Sequence, residues 1–310
     1  MRVLFMGTPD FALFTLRALV EAGREVVGVV TQPDKPKGRG YELQPPPVKV
    51  YATAQNIPVC QPTTLKDGAF AAELEELAPD VIVVVAYGKI LPPYVLEFPR
   101  YGCVNVHGSL LPQYRGAAPM QRAIIDGCAE TGITTMLMNE GLDTGDMLEV
   151  CRVPIGENDN FEDMHDALGE AGAGLLLSTL TGLENGSITP QPQPEEGATY
   201  ATKITKADCL IDFTRTACEV HNLVRGLSPV PLAFTHTPDG KLLKLIKTTV
   251  KRVGGVLAAP GTVLAAKDTL EIACGEGSIE VHRLLPEGKG RMNAAEYLRG
   301  RRLFEGDTLK

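Results

Sequence analysis

The chain contains no CxxC pair, no GxGxxG run and no apolar stretch near the roughly 18 residues that cross a bilayer. Without CxxC or a nearby His/Cys cluster, its seven cysteines (Cys60, Cys103, Cys128, Cys151, Cys209, Cys218 and Cys274) indicate neither a zinc site nor a disulfide framework, and no metal is expected. They read as reduced, mostly buried thiols. Without GxGxxG, the strand, helix, strand order that opens the chain carries no nicotinamide or flavin site. Without a long apolar run no membrane attachment is expected, and MRVLFMGTPD turns at Gly7 to Pro9 before a secretory core could form, so a cytoplasmic protein is expected. No stretch stands out as self-associating, and a monomer is expected.

Positive charge is scarce too, but unevenly. The net charge is −8, which by itself argues against a polyanionic partner. Residues 1–202 carry 13 Lys and Arg against 26 Asp and Glu, a balance of −13, whereas residues 203–310 carry 17 against 12, a balance of +5. Such a split points to one basic, polyanion-facing segment.

What is present fits two domains: 310 residues, 44% hydrophobic and 22% charged, with ample material for a core. RVLFMG, a helix capped by Thr8 or Asp10 and stopped by Gly23, and EVVGVVTQ begin a doubly wound α/β sheet. Residues 33–47 hold five Pro, two Gly and the cluster Lys35, Lys37 and Arg39, and no regular structure fits them. Helices are expected at 48–57 and 65–77, a short strand at 58–62, and a buried strand at 79–88 that leaves the sheet through Tyr87, Gly88, Lys89, Ile90 and Leu91. On the residues alone, Ile90 and Leu91 read as core. Further helices are expected over 117–127 and 161–183, and the sheet domain (1–189) ends there. The Pro-rich 190–206 reads as a stretched linker. In 207–310, a helix over 214–226, five or more short strands separated by Gly or Pro, and a last helix over 293–301 indicate a small β barrel or sandwich.

The chain is arranged around VNVHGSLLPQYRGAAP, Val104 to Pro119. Strand alternation points Asn105 and His107 one way and Val104 and Val106 the other, and the glycines and prolines that follow make a loop at a strand's carboxyl end, where open α/β sheets bind ligands. Cys103 lies on the same strand and reads as packing. Asp143, in the turn GLDTGD after the strand-like ITTMLM, sits at another strand end. An amide, an imidazole and a carboxylate converging there would form one polar site.

NxHxSLLPxYRGxxP followed by GLDTGD resembles the folate-dependent formyltransferases. MGTPDFA, TQPDKPKGRG, VVAYGKILP and YATKITKAD extend the likeness nearly end to end and single out the members that act on tRNA. The resemblance implies a Rossmann-like catalytic domain over 1–189, a linker over 190–206 and an oligonucleotide-binding-like, tRNA-binding barrel over 207–310. It implies transfer of a formyl group from 10-formyltetrahydrofolate to the α-amino group of methionyl initiator tRNA, with Asn105, His107 and Asp143 catalytic. It further implies a folate site from Ser109, Leu110, Leu111, Pro112, Tyr87, Gly88 and Ile90, and tRNA contacts from Lys35, Lys37, Arg39 and Lys206. Arg115 would stabilise the loop or meet an anion.

Formyl transfer to an amine needs a neutral nucleophile, stabilisation of charge on the formyl oxygen, and a proton for the leaving nitrogen. Asn105 can serve the oxygen, His107 can donate a second hydrogen bond or act as acid, and Asp143 can orient the imidazole or accept the amine proton. Ser109 has no adjacent base and is not read as a nucleophile. The rival readings are a formyltransferase for an amino sugar nucleotide, against which the basic loop and basic C-terminal segment speak, and a non-catalytic folate- or RNA-binding module, which would not need the three polar residues.

Overall fold

The computed structural model describes residues 1–37, 42–300 and 302–310. β1 (Arg2–Gly7), α1 (Asp10–Glu21) and β2 (Glu25–Val30) open the chain in the expected order. Thr8 does not cap α1: the helix starts without a side-chain cap, and the Thr8 hydroxyl donates instead to the Tyr87 carbonyl at 3.3 Å. Residues 33–47, expected to lack regular structure, contain a short antiparallel pair, β3 (Lys35–Lys37) with β4 (Glu42–Gln44). Pro36, which has no N–H to give, is tolerated because among the described residues this is a two-stranded pair with both strands at an edge.

Next come α2 (Pro47–Ala54), β5 (Val59–Cys60), α3 (Ala71–Leu77), β6 (Val81–Val85), α4 (Pro93–Leu96) and β7 (Cys103–His107). The helix expected from Leu65 starts only at Ala71, because Asp67 turns its carboxylate back to the Ala69 N–H at 3.1 Å and competes with helix geometry. β8 (Arg115–Gly116), α5 (Pro119–Ile125), β9 (Glu130–Leu137), β10 (Met147–Pro154), α6 (Phe161–Asn185) and β11 (Tyr200–Ala201) follow.

Two compact units result. The first comprises Met1–Gly116, Thr131–Val153 and His165–Tyr200; the second comprises Ala117–Glu130, Pro154–Met164 and Ala201–Lys310. The division read from sequence placed 117–130 and 154–164 in the first domain and 190–200 in a linker.

The first unit holds a seven-stranded sheet in the order β10-β9-β7-β6-β1-β2-β5. The pairs from β5 through β7 are parallel and β7 runs antiparallel to β9. Leu4, Met6, Ile82 and Val84 point to one face, into a cluster with Phe70, Leu74 and Val95. Val3, Phe5, Val81 and Val83, equally buried, alternate to the other. The chain runs outward from β1 to β5 and returns on the other side of β1 at β6, so the topology reverses between β1 and β6, where an open sheet offers a crevice at its carboxyl edge.

The second unit is an antiparallel sheet. After α7 (Ala217–Gly226), whose first turn is closed by a reciprocal Thr216 and Glu219 capping box, come β12 (Ala233–His236), β13 (Leu242–Arg252), β14 (Val263–Ala265), β15 (Leu270–Ala273), β16 (Ser278–Pro286), β17 (Met292–Asn293) and α8 (Ala294–Arg299). The order is β12-β13-β16-β15-β14, with β17 on β16. Three register shifts along β13 against β16 curl the sheet. Residues 306–310 then join its two edges: His236 and Lys310 exchange backbone bonds of 2.7 and 3.0 Å, while Leu309 N donates to Gly261 O and Val263 N to Asp307 O at 2.9 and 2.8 Å. The expected small barrel is thus a curled sheet closed by the last residues. Among the described residues no helix is long and apolar enough to cross a membrane.

Candidate active site

β7 presents Cys103, Asn105 and His107 to one face in the register predicted, with Asn105 opposite Met136 and His107 opposite Thr134 on β9. Cys103 is sunk in the apolar cluster and burial pushes its thiol up to about 12, so it is a packing residue. Asn105 is half-buried, and its side-chain amide makes no hydrogen bond among the described residues. A short polar side chain left free beside a buried imidazole is available to a ligand.

His107 is 6% exposed. Its Nε2 lies 3.0 Å from the Tyr114 carbonyl and its Nδ1 3.7 Å from Asp143 Oδ2. A carbonyl only accepts, so Nε2 carries the proton. Burial holds the imidazole's pKa below its ordinary value, against the opposing pull of the Asp143 carboxylate and the Tyr114 carbonyl. The neutral ring therefore turns an unprotonated Nδ1 toward a carboxylate. Two acceptors facing each other beyond hydrogen-bond distance form a slot suited to an N–H donor.

Asp143 holds its place through several contacts. Its Oδ2 accepts from Gly116 N at 2.7 Å, and its backbone is left-handed with φ +52°, which Asp tolerates. Gly145 lets the turn close: a Cβ there would stand 1.6 Å from the Leu137 carbonyl. Gln193, which the sequence reading left in the linker, ties this turn to the loop after His107. Its Oε1 accepts from Arg115 Nε and Nη2 at 3.0 and 2.8 Å, and its Nε2 donates to the Asp143 and Gly145 carbonyls at 2.9 and 2.7 Å. Thr199 adds bonds to the backbone N–H groups of Tyr114 and Arg115 at 2.8 and 2.9 Å. Proline-rich composition hid both residues, because neither belongs to a periodic element; the family motif YATKITKAD begins at Tyr200 and marked only Thr199's neighbourhood. Arg115, buried at 4%, stabilises the loop, the first of its two expected roles.

Of the residues expected to line a folate site, Ser109 is fully buried and its hydroxyl is engaged by the Gln113 carbonyl at 2.6 Å, with its own carbonyl held by Thr134 Oγ1 at 2.7 Å. It shapes the loop from beneath, as does buried Leu111, while Leu110 and Pro112 are half-buried. Tyr87 turns its ring into the core, where burial pushes the phenol up to about 12 and its hydroxyl has no partner among the described residues, so its backbone is what faces the crevice. That carbonyl accepts from Gln32 Nε2 at 2.8 Å. Ile90 is 74% exposed, which corrects the core reading made on residues alone; Leu91, at 3%, takes the core position. The difference comes from Lys89, whose ammonium anchors the turn on the Pro62 and Thr63 carbonyls at 2.6 and 2.8 Å and leaves Ile90 outward. Gly88 has φ +78°, and the N–H groups of Gly88 and Ile90 donate to no acceptor among the described residues. Free peptide groups beside an exposed apolar side chain are available to a flat, hydrogen-bonding ligand.

Lys35 is exposed and donates to Gln32 Oε1 at 2.6 Å; Lys37 lies in β3, and Arg39 lies outside the described residues. Lys206 is exposed, at the start of a short 3-10 turn in the second unit. Among the described residues no group of three potential metal ligands occurs.

This geometry coincides with a family assignment over both units. Residues 1–180 match the formyl transferase model and residues 203–302 the formyl transferase C-terminal domain. Methionyl-tRNA formyltransferase of Caldanaerobacter subterraneus subsp. tengcongensis is 49% identical over 311 residues, covering 100% of this chain and 100% of that protein. The Lachnospira eligens enzyme of the same name is 48% identical over 314 residues, covering 100% and 99%. Among solved structures, an N-formyltransferase from Helicobacter canadensis with folinic acid and dTDP-3-aminofucose aligns with a TM-score of 0.69 at 20% identity, over 90% of this chain and 98% of that one. HypX from Aquifex aeolicus with tetrahydrofolic acid aligns with a TM-score of 0.64 at 18% identity, over 96% and 47%. The latter two speak for the fold alone, whereas near 50% identity along the whole length places the sequence itself: the chain is a formyltransferase and belongs to the methionyl-tRNA formyltransferase family.

Proposed function

We propose that this chain transfers the formyl group of 10-formyltetrahydrofolate to the α-amino group of methionyl initiator tRNA, as a cytoplasmic monomer. The slot between His107 Nδ1 and Asp143 Oδ2, 3.7 Å across and lined by two acceptors, is the observation that carries the chemistry. The names of the relatives carry the substrate.

Asn105 donates its amide N–H to the formyl oxygen, which gains the carbonyl electron pair as the amine attacks the formyl carbon. His107 Nδ1 takes the proton that the amine nitrogen loses as the new N–C bond forms. Asp143 aligns the amine N–H in the slot and stabilises the imidazolium that results. His107 then gives that proton to N10 of the donor as the old C–N bond breaks, so the imidazole ends neutral. No covalent bond to the protein forms. The turn at Gly88 and Ile90, with Leu110 and Pro112, holds the folate, while Ser109, Leu111 and Tyr87 shape that surface from below. Lys35, Lys37, Arg39 and Lys206 contact the tRNA.

The test is a formylation assay with purified protein and 10-formyltetrahydrofolate, offering methionyl initiator tRNA, uncharged tRNA or an amino sugar nucleotide in parallel. Product on the charged tRNA alone is expected. Product on the sugar alone would keep the site chemistry and overturn the substrate.

A further inference from the structure

All four hydrogen-bonding positions of the Gln193 side-chain amide are used, and they leave its orientation no choice. Guanidinium N–H groups only donate, so they require Oε1; the Asp143 and Gly145 carbonyls only accept, so they require Nε2. One half-buried side chain thereby joins Arg115 of the loop after His107 to the backbone of Asp143 itself. The same loop supplies the second restraint, because Gly116, next to Arg115, donates to the Asp143 carboxylate. Asp143 is thus held at its carbonyl through Gln193 and at its carboxylate by Gly116, both anchored on one loop. The width of the slot facing His107 Nδ1 depends on both.

We propose that Gln193 is a positioning residue for formyl transfer, fixing the Asp143 carboxylate at its distance from His107 without touching either substrate. The proposal rests on the formyl-transfer reading of the site. A polar residue merely tying down a surface segment would change stability. A positioning residue changes turnover at constant substrate affinity, because the geometry it sets matters at the reacting atoms.

The experiment compares the full chain with Gln193→Ala, Gln193→Glu and Gln191→Ala. Gln191 lies on the same segment, and among the described residues its side chain donates only to the Thr189 carbonyl at 3.2 Å. Gln193→Glu keeps the acceptor for Arg115, and with it the tie that supports folding, but loses both donated bonds. Both Gln193 variants should lose about 10- to 100-fold in kcat with KM for each substrate within about twofold of the parent. Gln191→Ala should match the parent. An NMR titration of the His107 ring reads the geometry without turnover: in Gln193→Ala the carboxylate drifts away and the imidazole titrates lower still, because Asp143 is the charge that holds its pKa up. Normal kcat in Gln193→Ala, an equal loss in Gln191→Ala, or an unchanged His107 titration would overturn the proposal. A parent inactive on methionyl initiator tRNA would instead overturn the reading of function, with the His107 titration still deciding whether Gln193 positions Asp143.

Discussion

An imidazole sealed from water loses hydration that its charged form needs, and at His107 the Asp143 carboxylate at 3.7 Å restores only part of it. The unfolded chain lacks this penalty. As pH falls through the ordinary value of 6.5, unfolded His107 binds a proton that folded His107 refuses, so stability is full above that value and is lost below it. His221 adds in the same direction: it is buried at 6%, bonded to Thr248 Oγ1 and the Glu157 carbonyl at 3.0 Å each, and its pKa is likewise lowered chiefly by burial. Urea midpoints should therefore be flat above about pH 7 and fall toward about pH 5.5, with a shallower fall in His221→Gln; a midpoint constant over that range would contradict the assignment. Asp208 and Asp239, both near 2, titrate too low to interfere. Asn105 poses the opposite case. Its amide has no partner among the described residues to lose, so Asn105→Ala should leave the melting temperature near the parent's while kcat falls about 100- to 1,000-fold, read by steady-state formylation and thermal melts. A variant with parental kcat would remove the amide from the mechanism. That Asn105 and His107 share a face was legible in the sequence, because strand alternation alone decides it. The tautomer was not, since it depends on a carbonyl seven residues on.

Elements with a period were found in place, apart from the late starts of α3 and α7, and segments without one were not, for a physical reason. A strand or helix repeats its burial, so Leu4 and Met6 on β1 announce themselves. The turn 139–146 and the segment 190–200 bury backbone against particular side chains once only, which leaves no repeat to detect. Gln193 in a proline-rich run therefore looked like spacer. Likewise β3 and β4 are too short for alternation to emerge, and the turn anchored by Lys89 sends Ile90 outward where hydrophobicity alone argued inward. The turn 139–146 depends most sharply on one residue. A methyl group at Gly145 would meet the Leu137 carbonyl at 1.6 Å, and backbone rather than a flexible side-chain tip would have to move. Because Gly145 also supplies one of the carbonyls that Gln193 grips, the movement reaches Asp143. Gly145→Ala should lower the melting temperature by several degrees, the cost of overpacking being about 1–3 kcal/mol, and reduce kcat in the fraction that remains folded. Parental values of both would mean that the turn relaxes without disturbing the carboxylate.

At the scale of the whole molecule the charge split seen along the sequence takes a different form. Residues 203–310 are basic by +5, but the second unit also takes in 117–130 and 154–164, and over all its residues 18 Lys and Arg meet 18 Asp and Glu. A neutral unit cannot attract a polyanion by its average field, so local arrangement must do so. In the curled sheet, Lys251 is paired with Glu280 and Arg252 with Glu271 at 2.7 and 3.1 Å. Lys247 and Arg283, by contrast, are exposed, directly opposite one another on β13 and β16, and have no acidic partner among the described residues. Like charges placed opposite destabilise a sheet, and the arrangement becomes favourable once a phosphate lies between them. In the proposed function that phosphate belongs to tRNA. Each such contact adds about 0.9 to the slope of log affinity against log salt on a duplex. Replacing Lys247 and Arg283 together by Gln should flatten that slope by about 1 to 2, measured by filter binding across a salt series, while thermal stability rises slightly as the repulsion disappears. An unchanged slope with raised stability would assign the pair to a solvated face and leave the tRNA contacts to Lys35, Lys37, Arg39 and Lys206.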